Sequence, residues 1–65
     1  MTRLKEMRQR RGITQAQLSD ASGVNIRAVQ DYEQGSNDIN KAAAITVLKL
    51  ARALYCKMED IMELG

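Results

Sequence analysis

The chain has 65 residues, no histidine and one cysteine, Cys56. Covalent chemistry therefore has little to work with. No Ser-His or Cys-His pair and no glycine-rich phosphate loop is present, so no nucleophile has a partner base, and an enzyme is not expected. The acidic residues Glu59, Asp60 and Glu63 have no histidine to complete a transition-metal site. They read instead as carboxylates favourably placed in the first turn of a short helix, so neither a metal nor a cofactor is expected. What remains is ionic and hydrogen-bonding chemistry. Arg8, Arg10 and Arg11 span one helical turn and must point in different directions. Arg10 and Arg11 can attract phosphate at long range or simply form a solvated face. Arg27 and Asp31 stand four apart, the spacing at which two charges on one helix face meet.

The elements that must position these groups are legible from Thr14 to Glu33. Thr14 with Gln17 three residues on is a capping-box pattern and predicts a helix over Thr14–Ser22. Gly23 can take positive φ and stop it. Asn25 is a good N-cap for a next helix over Ile26–Gln34. Leu18, Ala21, Val29 and Tyr32 recur at helical spacing and are expected to face inward. Ser19 is small where the two helices must cross. Two short helices joined by such a turn form a helix-turn-helix, whose second helix is free to enter a DNA major groove.

Around this unit, Leu4 and Met7 predict a first helix within Thr2–Arg11, stopped by Gly12. Gly35 ends the third helix, and Ser36, Asn37 and Asp38 form a loop. Asn40 is the expected N-cap of a long fourth helix, Lys41–Leu54, with Ala44, Val47, Leu50, Ala51 and Leu54 buried. Lys41 would then oppose the helix dipole unless an anion such as phosphate sat beside it. Met58–Met62 is expected to form a fifth helix with Ile61 facing in. The expected architecture is a single all-α, compact five-helix domain over residues 1–65.

Composition is consistent with this. Hydrophobic residues make up 45% and there is no proline, which favours a folded helical globule over disorder. The net charge is +2, and residues 1–33 carry six Lys/Arg against four Asp/Glu, whereas residues 34–65 carry four of each. The basic excess thus lies in the half that holds the two-helix unit. A single Cys suits a reducing compartment, where it packs as a small apolar side chain. No apolar run reaches a membrane-spanning length, and Arg3, Lys5 and Glu6 interrupt any secretory signal. A cytoplasmic protein without membrane contact is expected.

Several blocks together carry a family resemblance: Gly12-Ile13-Thr14-Gln15, Leu18, Gly23-Val24, Val29, Tyr32-Glu33-Gln34-Gly35, Leu50-Ala51-Arg52-Ala53-Leu54 and Met58-Glu59-Asp60-Ile61. The chain resembles the Cro/repressor-type helix-turn-helix proteins, the xenobiotic-response-element family, over nearly its whole length. The resemblance implies a repressor-like fold and a DNA-binding regulator of transcription, with repressor the expected sign. It implies that Gln15 grips a phosphate and braces the recognition helix, and that Ile26, Arg27 and Asp31 face base edges. Gln30 would lie toward the backbone or groove wall, and Asn25, at the start of the helix, is counted among the DNA-contacting residues. Arg8 and Glu33 match a partly buried ion pair tying the first helix to the third.

Two of these readers stay open. Asp31 can accept from cytosine N4, or be held by Arg27 and act against wrong sequences. Ile26 can touch a thymine methyl or pack locally. Arg10, Arg11, Ser36, Asn37 and Lys41 are further candidates for phosphate. One helix reads few base pairs, so a homodimer on double-stranded DNA is expected, with Met58, Ile61, Met62 and Leu64 offering the apolar contact surface. The rival reading is an antitoxin-like or adaptor module of the same fold, whose partner is a protein such as a toxin.

Overall fold

In the computed structural model, which describes residues 1–64, four α-helices are followed or joined by two single 3₁₀ turns. The order is α1 (Arg3–Arg11), α2 (Gln15–Ser22), α3 (Ile26–Gln34), a 3₁₀ turn (Ile39–Lys41), α4 (Ala44–Ala53) and a 3₁₀ turn (Met58–Asp60). No strand occurs among the described residues.

Local chemistry explains the first three helices. The Thr2 hydroxyl accepts from the Lys5 amide at the start of α1. Arg8, Arg10 and Arg11 sit in its last turn, where the helix dipole favours cations. At α2, Thr14 Oγ1 accepts from the Gln17 amide (3.1 Å) while Gln17 Oε1 accepts from the Thr14 amide (2.9 Å), a complete capping box. Gly23 ends α2 at φ 74°, a left-handed conformation that a side chain would strain. Asn25 Oδ1 then accepts from the Arg27 amide (2.8 Å) and opens α3. The turn is locked from inside by two serines: Ser19 Oγ donates to the Val24 carbonyl (2.6 Å), and buried Ser22 Oγ accepts from the Val24 amide (3.1 Å).

The expected fourth and fifth helices are corrected. Residues 39–41 form a separate 3₁₀ turn, and α4 begins only at Ala44, after Ala43, which gives no side-chain cap. Asn40 caps nothing, because its amide is taken by the C-terminal segment. Its Nδ2 donates to the Glu63 carbonyl (2.8 Å) and its Oδ1 accepts from the Glu63 amide (2.9 Å). Lys41 closes the 3₁₀ turn and so does not oppose the α4 dipole. The fifth helix is one 3₁₀ turn: five residues give little more than one helical turn, too few to repay nucleation. Among the described residues there are four helices, not five.

The core is built from one stripe of each helix: Leu4, Leu18, Val29 and Tyr32, then Val47, Leu50, Ala51 and Leu54, closed by Val24, Ile39 and Ile61. α2 packs on both α3 and α4, α1 packs on α3, and the last turn seats Ile61 against α1 and α4. Ala21 and Ala44, expected inside, are exposed. α2 buries Leu18 and Ser22 at i and i+4, which leaves Ala21 on its flank, and Ala44 opens α4 ahead of the packed turns. No buried side-chain polar atom lacks a hydrogen-bond partner among the described residues.

Candidate nucleic-acid interface

α3 has two unlike faces. Its inner face, Val29, Tyr32 and Glu33, is buried. Glu33 is a carboxylate in the core, and three donors hold it. Arg8 Nε and Nη2 reach its two oxygens at 2.6 and 3.0 Å, and Gln15 Nε2 donates to Oε1 at 3.1 Å. The Arg8 side chain is 13% exposed and that of Glu33 1%, so this pair is largely shielded from solvent. Arg8 Nη1 also donates to the Ile13 carbonyl (2.9 Å), and Thr2 Oγ1 donates to the Glu33 carbonyl (2.9 Å). α1, α2 and α3 therefore converge on one carboxylate. Bidentate charge-assisted bonds of this kind fix orientation as well as distance.

The outer face of α3 is open. Ile26 is 41% exposed, and the Arg27 side chain is 82% exposed. Arg27 Nε stands 4.0 Å from Asp31 Oδ1, the limit of an i,i+4 ion pair, and at that exposure the contact is too weak to hold the guanidinium in place. Gln30 is half-buried beside them. Asn25 is exposed at the helix start, with its carbonyl oxygen committed to the cap. Gln15 is half-buried and spends one amide proton on Glu33, leaving the second.

The outlying candidates are scattered. Arg10 is exposed on α1. Arg11 lies over the Tyr55 ring, 4.4 Å from its centroid, and lines a cleft with α2 and α4. Ser36 Oγ donates to the Asp31 carbonyl (3.2 Å), and the Asn37 amide donates to the same carbonyl (3.2 Å), so this loop folds back onto α3. Lys41 is exposed beyond it. Of the apolar C-terminal residues only Leu64 is exposed, at 61%; Met58 and Met62 are half-buried. Ile61 is fully buried in the core and cannot contact a partner, which corrects its expected place on the surface. The sequence reading also missed Ser22, whose buried hydroxyl bridges the turn. Tyr55 stands where a glycine often ends the fourth helix of the family, and it takes that left-handed position itself, at φ 54°.

Cys56 is half-buried, and burial, aided by the Asp60 carboxylate, pushes its thiol up. No cluster of metal-ligating side chains occurs among the described residues. Among the described residues no helix is long and apolar enough to cross a membrane.

A family model described as helix-turn-helix matches residues 4–61, nearly the whole chain. No curated protein and no solved structure matches it. The family is one of DNA-binding regulators rather than enzymes. The matched residues take in all four helices and the turn between α2 and α3, and the chain belongs to the Cro/C1-type helix-turn-helix family.

Proposed function

We propose that this protein is a sequence-specific repressor of transcription, acting in the cytoplasm as a homodimer on double-stranded DNA. The observation that carries the reading is the division of α3 into a buried face fastened to α1 and α2 through Glu33 and an outer face left open at Ile26, Arg27 and Asp31. In this reading α3 enters the major groove and Arg27, free to swing away from Asp31, supplies the main polar contact to a base edge. The second amide proton of Gln15 meets a phosphate, and Arg10, Asn37 and Lys41 add attraction along the backbone.

A helix of nine residues is about 14 Å long and spans about four base pairs. Affinity must then come from two copies on half-sites about 34 Å apart. Leu64, with the edges of Met58 and Met62, is the apolar surface offered for that contact.

Selection from random duplex DNA tests the reading. A recovered palindrome with half-sites one helical turn apart supports it. Binding that is indifferent to sequence, or that survives rising salt without loss, refutes it, because phosphate contacts release counterions.

A further inference from the structure

A cleft of about 480 Å³ opens between the end of α1, the outer flank of α2 and the end of α4. Three cations border it: Arg11, Lys49 and Arg52. No Asp or Glu lines it, and none of the three forms an ion pair among the described residues. Between the cations the lining is mixed: half-buried Ile13 and Ala53 and exposed Ala21 are apolar, and Gln17 and Ser22 are polar.

Tyr55 forms its wall in an unusual way. α4 ends with the Tyr55 amide donating to the Arg52 carbonyl and the Cys56 amide to the Ala51 carbonyl, the bond pattern of a Schellman stop. The residue in the left-handed position of that stop is ordinarily glycine; here it is Tyr55, at φ 54°. A bulky residue in this conformation is a true outlier. The residue remains 79% exposed, so no burial in the monomer offsets the strain. The ring instead stands beside the cleft under the Arg11 guanidinium, 4.4 Å from ring centroid to cation. Strain retained without a structural return points to a function for the side chain.

We propose that this cleft docks an acidic segment of a partner protein, with apolar side chains between its carboxylates. The cations take the carboxylates, and the Tyr55 ring and the alanine and isoleucine side chains take the apolar groups. Duplex DNA fits this surface less well, because its phosphates would meet the cations but leave Ile13, Ala21 and Ala53 without apolar partners. Position argues the same way. Gln17 and Ala21 line the cleft, whereas Gln15 turns to Glu33 and Ser19 to Val24. Two residues along a helix turn about 200°, so the cleft and α3 lie on opposite flanks of α2. A partner held here leaves the open face of α3 free, and the proposal stands whether or not α3 binds DNA.

The full chain, labelled with ¹⁵N, is titrated with a six-residue peptide alternating glutamate and leucine. The expected result is movement of the Gln17, Ala21, Ala53 and Tyr55 amides while those of Ile26, Arg27 and Asp31 stay still. Arg52→Glu and Lys49→Glu, both on the exposed side of α4, are each expected to weaken binding about fivefold. The glutamine-leucine version of the peptide is expected not to bind. That arm uses the unaltered chain and remains decisive should a variant fold poorly. Equal binding of the glutamine peptide, or no movement at the cleft, overturns the proposal. Random-sequence duplex DNA moving the same amides would assign the cleft to nucleic acid, and citrate displacing the peptide at equal concentration would reduce it to a small-anion pocket; either result also overturns it.

Discussion

Arg8 and Glu33, 25 residues apart in the chain, meet through two hydrogen bonds of 2.6 and 3.0 Å, on a carboxylate whose side chain is 1% exposed. Such a pair adds little net stability compared with a well-packed apolar substitute, but half of it is worse than none. Arg8→Met strands the carboxylate in the core and is expected to cost about 3 kcal/mol. In a domain of this size that lowers the thermal midpoint by more than about 10 °C. The double variant Arg8→Met with Glu33→Leu should recover most of the loss. A single variant within about 1 kcal/mol of the parent in urea melts would show that the pair does not fasten α1 to α3.

Arg27 is the most exposed charge on α3. Arg27→Ala is expected to weaken binding to a selected site by about 1–3 kcal/mol and to flatten its preference over neighbouring sequences. Gln15→Ala should instead weaken selected and random duplexes alike. Titrations of both variants on both DNAs separate the roles; equal losses on both DNAs from Arg27→Ala would rule out its reading of a base.

Asn40 clasps the backbone of Glu63 from both sides. Its loss should loosen the C-terminal segment without opening the core. With Asn40→Ala, the Glu63 amide is expected to exchange with deuterium faster while the fully buried α4 residue Leu50 keeps its protection. Equal loss of protection at both positions would mean that the clasp holds the whole fold.

Tyr55→Gly sets three terms against one another. Relief of the left-handed backbone gains about 1–3 kcal/mol, glycine's extra chain entropy costs about 0.5–1, and loss of the Arg11 contact costs about 0.5–1. The expected net change, read from chemical denaturation, lies between a loss of about 1 and a gain of about 2 kcal/mol. A loss of several kcal/mol would make the ring a structural element rather than an exposed one.

Burial and the nearby Asp60 carboxylate both disfavour the Cys56 thiolate, so its pKa lies above that of an unfolded cysteine. Below the unfolded value both states carry the thiol and stability is unaffected. As pH rises past it, only the unfolded state ionises readily, and stability falls. At pH 8 the folded chain should react with iodoacetamide more slowly than the same chain in urea. Equal rates would place the thiol in open solvent.

The first half of the fold was legible because its signals are local. Thr14 and Gln17 satisfy each other across one turn, and Gly12, Gly23 and Gly35 stop helices at their own positions. The second half depends on distant partners. Asn40 has the residue type of a cap, but a segment 23 residues away claims it. Ile61 is apolar, which suits a core as well as a contact surface, and the core takes it. The placement of Arg11 was illegible for a similar reason: its neighbours Lys49 and Arg52 come from the other end of the chain. Spacing within a helix could suggest that Arg27 and Asp31 meet; it could not say that their contact is loose enough to leave the arginine free.

The residues that fasten α3, Val29, Tyr32 and Glu33, are none of those that look outward, Ile26, Arg27 and Asp31. Grip and vocabulary are thus written on separate sides of one cylinder. In the proposed reading, new target preferences can be grafted at those three positions while the scaffold stays intact. On that proposal, a lineage carrying this domain changes what it recognises without first relearning how to fold.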